Sequence, residues 1–263
     1  MVLHDQHIHS SYSEDSDEEL INYYNAAIKH GCKYFVTTEH IDFMPSMDDH
    51  HWLCDFDELK KELYSLAANK DIIPLLGVEM GYRIDYLQEI HNYLNKYDFD
   101  IINLSIHDSG KYEYYFASNF TELGIKQTIT MYYEQMLDAI KRIDKFNVLS
   151  HIDYCYKTVY KIDNTYNFLS DYHLIKPILE EIIKKEKALE INIKVQKALP
   201  IEHLYELLNI YKSLGGTRLT LSTDAHDVSR YKEDFDKYIK IIKESGFDYL
   251  CYYIKQKEYH YDI

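Results

Sequence analysis

The sequence alternates between short apolar segments of strand length and longer segments with helical periodicity. Several of the apolar segments show no polar alternation, which is typical of parallel strands that are buried on both faces. We predict strands at Val2–Ile8, Tyr34–Thr38, Ile72–Glu79, Ile101–Ile106, Asn147–Ser150, Leu189–Ile193 and Leu219–Ser222. This alternation predicts a parallel α/β protein, either a barrel or an open doubly wound sheet.

The segments between the predicted strands place apolar residues on one helical face. We predict helices at Glu18–His30, Phe56–Ala68, Tyr132–Phe146, Tyr172–Glu186, Ile201–Leu214 and Lys232–Ser245. Between Asp108 and Thr130 the alternation breaks, and we expect a long, aromatic-rich loop over one end of the sheet. Because no linker or internal repeat divides the chain, we expect a single domain over residues 1–263.

The charge balance excludes some classes of partner. The chain has 44 Asp and Glu against 29 Lys and Arg, a formal net charge of −15. Long nucleic acids and anionic membranes are therefore not expected as partners, since both require clustered basic residues. The sequence has no apolar run long enough to span a bilayer, and its N-terminus lacks the apolar core of a signal peptide, so we expect a cytoplasmic protein.

Residue types that bind metals occur at the end of every predicted strand. In chain order they are His7 and His9, Glu39 and His40, Glu79, His107, His151, Glu190, and Asp224 and His226. The carboxyl ends of parallel strands lie on one face, where α/β proteins build their sites. Any one of these residues alone is more often structural, but their joint placement indicates a metal centre.

The spacing within this set suits a metal centre with more than one ion. Two residues separated by one position on a strand point the same way, so His7 and His9 can bind one ion, as can Asp224 and His226. Imidazole with carboxylate suits Zn, Mn or Fe. The candidates exceed the four to six ligands of one ion. We therefore expect two or three divalent ions, with a carboxylate such as Glu79 as a bridge.

The order of these residues resembles the polymerase-and-histidinol-phosphatase (PHP) superfamily. The matching pattern is His-x-His, Glu-His, a single Glu, two single His, and Asp-x-His, from His7 to His226. Within the superfamily, five stretches resemble the histidinol-phosphate phosphatase branch: His7–Ser10 with Asp15, Leu104–His107, Ser150–Asp153, Leu189–Asn192 and Ser222–His226. The resemblance implies a distorted seven-stranded (β/α) TIM-like barrel with a trinuclear metal site.

The resemblance also implies a set of nine ligands, which are His7, His9, Asp15, His40, Glu79, His107, His151, Asp224 and His226. One ion would take His7, His9, Glu79 and Asp224. A second would take Glu79, His107 and His151, and a third Asp15, His40 and His226.

The implied reaction is the hydrolysis of a small phosphomonoester, such as L-histidinol phosphate in histidine biosynthesis. A water between two ions would attack phosphorus in line, which makes catalytic residues of His7, His9, Glu79, His107 and Asp224. The family usually has arginines that bind phosphate after the fifth-strand His and after the Glu-Ile-Asn motif. Here Lys157 and Lys197 lie near those places. We expect them to bind the substrate, without the two-pronged geometry of arginine.

Other functions remain open from the sequence. A PHP phosphoesterase could act on a nucleotide, an oligonucleotide end or a phosphotyrosyl protein. A non-catalytic metal-binding or regulatory domain is the main alternative of another class, and the complete ligand set argues against it. An interaction protein with a Tyr-rich surface is a further alternative. An amidohydrolase would usually have a bridging Lys at a strand end, and we find no Lys so placed.

Overall fold

The computed structural model describes residues 3–43, 50–68 and 72–263. A seven-stranded sheet, in the order β2-β1-β3-β4-β5-β6-β7, forms its centre. All neighbouring strands pair in parallel except the short edge strand β2, which is antiparallel to β1. The strands are β1 (Tyr34–Asp42), β2 (Trp52–Leu53), β3 (Ile73–Gly81), β4 (Ile101–Ser105), β5 (Val148–Leu149), β6 (Ala188–Asn192) and β7 (Leu219–Ser222).

Helices connect the strands and cover the sheet. They are α1 (Leu20–Lys29), α2 (Phe56–Ala67), α3 (Leu87–Lys96), α4 (Ala117–Leu123), α5 (Ile125–Arg142), α6 (Tyr156–Ile162), α7 (Tyr172–Lys184), α8 (Ile193–Gln196), α9 (Ile201–Ser213) and α10 (Phe235–Glu244). Their starts follow local chemistry: at α2, for example, the Asp55 carboxylate accepts hydrogen bonds from the backbone N–H groups of Asp57 and Glu58. β1, β4 and β6 are buried along their whole length, as predicted for parallel strands covered on both faces.

The prediction of a first strand at Val2–Ile8 is wrong. Val2 lies outside the described residues, and only Ile8 makes a strand-like contact, an isolated parallel bridge to Ala225. The segment still lies between β1 and the end of β7, because the Thr38 N–H donates to the Ile8 carbonyl and the His9 N–H to the Ala225 carbonyl. A buried carboxylate holds it there: Asp5 accepts from the backbone N–H and the hydroxyl of Thr223. Side-chain hydrogen bonds thus replace a regular ladder.

The predicted loop from Asp108 to Thr130 is only partly correct. Residues 108–116 are irregular, but α4 begins at Ala117 and α5 already at Ile125, well before the predicted start at Tyr132. The Asn119 amide on α4 donates to the Tyr112 and Glu113 carbonyls and so holds the loop against the helix.

The alternation of strand-like and helical segments in the sequence also did not predict α3 or the C-terminal hairpin, which consists of β8 (Tyr249–Ile254) and β9 (Lys257–Asp262). Contacts that join the hairpin to the rest of the molecule include the Gln6 amide, which donates to the Cys251 carbonyl, and Arg218, which donates to Glu258. Within the described residues, no helix combines the length and apolar character needed to cross a membrane.

Candidate active site

The strand ends and the N-terminal segment bring the nine predicted ligands into one cluster. Strand register sets the first contact, since His40 on β1 pairs directly with Glu79 on β3. Seven of the ligands line one pocket, which are Asp15, His40, Glu79, His107, His151, Asp224 and His226. The other two, His7 and His9, lie beneath it and are fully buried.

Glu79 lies at the centre of the cluster and is itself 1% exposed. Its Oε2 lies 3.1 Å from His7 Nε2, 3.3 Å from His9 Nε2 and 3.2 Å from His40 Nδ1. Its Oε1 faces the opposite side, 2.8 Å from His151 Nε2 and 3.2 Å from His107 Nε2. Each oxygen therefore faces its own set of imidazoles, which is the arrangement of a carboxylate able to bridge two ions.

Four of the histidines share one orientation. Each directs Nδ1 outward to a fixed partner: His7 to Glu190 Oε1 at 2.6 Å, His9 to Ser13 Oγ at 3.3 Å, His107 to Asp42 Oδ1 at 3.0 Å and His226 to the Asp224 carbonyl at 3.0 Å. Each directs Nε2 inward to the pocket. An outer partner that fixes the ring and leaves the other nitrogen free is typical of metal-binding histidines.

Several buried nitrogens of the cluster have no hydrogen-bond partner within the described residues. They include His7 Nε2, His9 Nε2 and His40 Nδ1. They lie near carboxylate oxygens, but not in hydrogen-bonding geometry. A buried polar atom without a partner lowers the stability of the folded state. These nitrogens are therefore best explained as ligands of a cation.

Within this cluster, four groups of side chains lie close enough to hold an ion. Their composition is His7, His9 and Asp224; Glu79, His107 and His151; His9, His40 and His226; and His40, Asp42 and His107. Asp15 adjoins the third group, with Oδ2 2.8 Å from His226 Nε2 and Oδ1 3.6 Å from His40 Nε2.

The electrostatics of the site arise from buried charges in contact. Burial lowers the pKa of His7, but the carboxylates of Glu79, Glu190 and Asp224 outweigh it and hold the pKa well above its ordinary value. Burial raises the pKa of Glu79, but the surrounding histidines hold it well below its usual range. The Glu79 carboxylate is thus held in its ionised form, and protons compete with cations for the imidazole nitrogens around it.

Two of the predicted ligands have backbone conformations that residues other than glycine rarely adopt. His151 has a φ of 21° and Asp224 a φ of 52°. Hydrogen bonds hold both segments: Glu190 Oε2 accepts from the His151 N–H at 2.8 Å, and Asp5 accepts from the Thr223 N–H at 3.0 Å. Such strain is typical of functional sites, where surrounding contacts fix the geometry.

Some strand-end residues position ligands rather than facing the pocket. Glu39 is fully buried, and its carboxylate accepts from the Ser10 N–H and from the Ser10 and Ser13 hydroxyls. Glu190 binds His7 and the His151 backbone as described above. Asp153 accepts from the Gln196 amide at 2.6 Å, which gives it a structural partner.

The two predicted substrate lysines lie in different environments. Lys157 is buried, with its ammonium 4.8 Å from the centre of the Tyr154 ring and 4.9 Å from that of Tyr115. Burial lowers its pKa to about 8. Lys197 instead forms ion pairs with Glu233 and Asp234, away from the pocket.

Lys194 and Asp42 belong to the pocket and were missed from the sequence. The Lys194 ammonium lies 3.3 Å from Asp224 Oδ1 and 3.1 Å from His226 Nδ1. Lys194 comes two residues after the Glu-Ile-Asn motif, three before the residue that we selected. Asp42 comes two residues after His40 on the same strand, so the two-residue period could have indicated it.

Comparison with known proteins agrees with this geometry. The PHP domain family matches residues 5–194. The chain belongs to the PHP domain family. The resemblance found in the sequence is thereby confirmed.

Named relatives cover nearly the whole chain. A histidinol-phosphatase from Lactococcus lactis subsp. lactis (strain IL1403) is 32% identical over 252 residues, 94% of this chain and 93% of the relative. A protein named "Probable histidinol-phosphatase" from Clostridium acetobutylicum is 29% identical and covers 86% of this chain and 87% of its own length.

A solved structure shares the fold along the same length. It is the crystal structure of histidinol phosphate phosphatase from Lactococcus lactis subsp. lactis Il1403, complexed with zinc, L-histidinol and phosphate. Its TM-score to this chain is 0.86 at 29% sequence identity, and the match covers 97% of this chain and 98% of that one.

Proposed function

We propose that this chain is a metal-dependent phosphomonoesterase that hydrolyses L-histidinol phosphate to L-histidinol and phosphate. The single observation that carries the proposal is the cluster of inward-facing imidazole Nε2 atoms around Glu79. Support comes from the Lactococcus lactis phosphatase, which has the same fold and binds zinc, L-histidinol and phosphate.

The residues present fit a centre of two or three divalent ions, Zn, Mn or Fe. Buried imidazoles with carboxylates, and nitrogens without other partners, are the donor set that these ions prefer. We assign the ligands as His7, His9, Asp15, His40, Glu79, His107, His151, Asp224 and His226. When bound, such ions supply Lewis acidity toward phosphate oxygens and lower the pKa of a coordinated water.

The protein itself must bind a dianionic phosphate in a pocket rich in carboxylates. Lys194 and Lys157 are the cations that we assign to this task, and Lys194 replaces our sequence-based choice of Lys197. Lys157 contributes a buried charge, which interacts more strongly with phosphate than an exposed one does. Trp52 and Tyr154 also line the pocket and limit the access of bulk water.

We further propose that residues 1–263 form a single domain with a distorted (β/α)7 TIM-like barrel. In this description the segment around Ile8 takes the place of a strand between β7 and β1, which is supported by its backbone hydrogen bonds to Thr38 and Ala225. We also propose a cytoplasmic location. Cys32, Cys54, Cys155 and Cys251 are all free and buried, as in proteins of a reducing compartment.

Phosphate release from a panel of substrates tests the proposed activity. The panel contains L-histidinol phosphate, nucleoside monophosphates, a phosphotyrosyl peptide and p-nitrophenyl phosphate. We expect the highest kcat/KM for L-histidinol phosphate and a large loss in His107→Ala and Asp224→Ala. Comparable low rates on all substrates would reject L-histidinol phosphate as the substrate. Turnover of these variants within about tenfold of wild type would reject the metal-dependent mechanism.

A further inference from the structure

One carboxylate in the pocket is not explained by metal binding. Glu113 lines the pocket beside His107 and Tyr154, but belongs to none of the groups able to hold an ion. It lies on the irregular segment between Asp108 and Phe116, not at a strand end.

The backbone around Glu113 is firmly held. The Glu113 carbonyl accepts from the Phe116 N–H at 3.1 Å and from the Asn119 amide at 3.0 Å. The next residue, Tyr114, is fully buried, and its N–H donates to the His107 carbonyl at 2.7 Å. The position of Glu113 at the pocket is therefore set by the fold.

The base of the same segment is fixed by a buried ion pair. Arg83 binds the Asp108 carboxylate, and Gln135 donates to the Asp108 carbonyl at 2.9 Å. The segment thus has an ordered framework at both ends, and Glu113 lies between them.

The Glu113 carboxylate has neither an ion-pair nor a hydrogen-bond partner within the described part of the chain. Lys111, two residues away, pairs instead with Glu122 at 2.6 Å. Lys157 and Lys161 lie against the Tyr115 ring. Burial raises the pKa of Glu113; attraction to His107 opposes this, but repulsion from Asp42, Asp108 and Asp15 adds to it.

A half-buried carboxylate without a partner destabilises a protein unless a ligand supplies the missing cation. Phosphate cannot be that ligand, because it is an anion and the carboxylate would repel it. The Lys194 ammonium lines the same pocket and can receive the phosphate. The pocket thus offers positive charge to one part of a substrate and negative charge to another.

We propose that Glu113 selects substrates that carry a primary ammonium group next to the phosphorylated carbon. This proposal rests on the proposed function and adds the residue that recognises the amino-alcohol part of the substrate. The ammonium donates to the Glu113 carboxylate while the phosphate lies at the metal ligands. A phosphomonoester without the amine leaves Glu113 unpaired and binds more weakly.

Four substrates separate the contributions of the amine and the ring. They are L-histidinol phosphate, 2-aminopropyl phosphate, 3-(imidazol-4-yl)propyl phosphate and propyl phosphate. We expect wild type to favour the two amines over their amine-free counterparts by about 10- to 100-fold in kcat/KM, the range of one hydrogen bond between charged groups.

Glu113→Gln is the test variant and Glu122→Gln its control. Both remove one negative charge, but Glu122 is exposed and pairs with Lys111. We expect Glu113→Gln to lose the preference for amines, mainly through a higher KM, because the ammonium charge is the same in substrate and transition state. Its kcat/KM on propyl phosphate falls much less than on the two amines, and Glu122→Gln keeps the preference.

The outcomes distinguish this proposal from the proposed function. If wild type prefers amines and Glu113→Gln keeps that preference, the role of Glu113 is rejected and the proposed function stands. An equal loss on propyl phosphate also rejects it, since the residue would then act on the centre as a whole. If wild type itself shows no preference for amines, the role of Glu113 is rejected; the proposed substrate is rejected as well only if L-histidinol phosphate is turned over no better than propyl phosphate.

Discussion

Adding one methyl group at Gly81, at the end of β3, should disrupt the proposed metal centre, although Gly81 is not itself a ligand. Pairing of Ile41 with Met80 puts Asp42 beside Gly81. A Cβ atom there would lie 1.6 Å from Asp42 Oδ1. In the Gly81→Ala variant, the carboxylate must therefore retreat by about 2 Å to reach van der Waals contact.

That retreat breaks the contact that orients His107. Asp42 Oδ1 lies 3.0 Å from His107 Nδ1, so a shift of about 2 Å takes the pair beyond hydrogen-bonding distance. Loss of such an outer partner typically costs about 10- to 100-fold in metal affinity or activity. The added methyl group also costs about 1–3 kcal/mol of folding free energy through overpacking.

The assay is competition for Zn²⁺ or Mn²⁺ with a chromophoric chelator, with thermal unfolding measured on the same samples. Asp42→Ala removes the same interaction without the added methyl group at Gly81, so we expect a similar loss of affinity. Because both substitutions act through one carboxylate, the double variant should lose little more than either single one. Wild-type affinity in Gly81→Ala, or losses that multiply in the double variant, would refute this reasoning.

Three further predictions follow from the described contacts. We expect Lys194→Ala to lower kcat/KM by at least about tenfold and Lys197→Ala by less than about threefold, since only Lys194 lines the pocket; equal losses would contradict this assignment. Because the pKa of Lys157 is lowered to about 8, it loses its charge as the pH rises through that value. Inhibition by phosphate should therefore weaken above pH 8 in wild type but not in Lys157→Arg. The same pH dependence of inhibition in both proteins would show that Lys157 does not bind phosphate. Burial lowers the pKa of His4 to about 3, so the unfolded chain binds a proton below pH 6.5 that the folded chain cannot. The free energy of unfolding therefore falls by ~2 kcal/mol between pH 6.5 and pH 5. In urea unfolding of the metal-free protein, His4→Phe should not show this contribution of His4. An unchanged pH dependence of the free energy of unfolding in His4→Phe would contradict the prediction.

The sequence was most informative where a single local property, such as burial or position at a strand end, determines the residue type. Uniformly apolar strands such as Ile101–Ser105 and single imidazoles at their ends, such as His107, follow directly from burial and strand direction. The family and the ligand cluster could therefore be predicted before any coordinates were known.

The parts that were missed depend on contacts between distant segments. The N-terminal segment looks like a strand by composition. In place of a regular ladder, however, its Asp5 carboxylate accepts from the Thr223 N–H, and its Ile8 N–H donates to the Thr38 hydroxyl. α3 is amphipathic but short, and its burial of Ile90 and Leu94 depends on the fold.

Side-chain roles were the least predictable feature. Glu79 and Glu190 both lie at strand ends, yet Glu79 faces the pocket and Glu190 holds His7 from behind. Lys194 and Lys197 are three residues apart, and only the turn at the end of β6 decides which one reaches Asp224. Spacing along the chain carries no information on that choice.

The most direct test of the central claim joins metal content to turnover in one preparation. The metal bound per chain is counted by elemental analysis, and phosphate release from L-histidinol phosphate is measured before chelation, after chelation and after return of Zn, Mn or Fe. We predict turnover that falls with the bound metal and returns with it. Turnover that persists in metal-free protein, or none in fully loaded protein, would contradict the account.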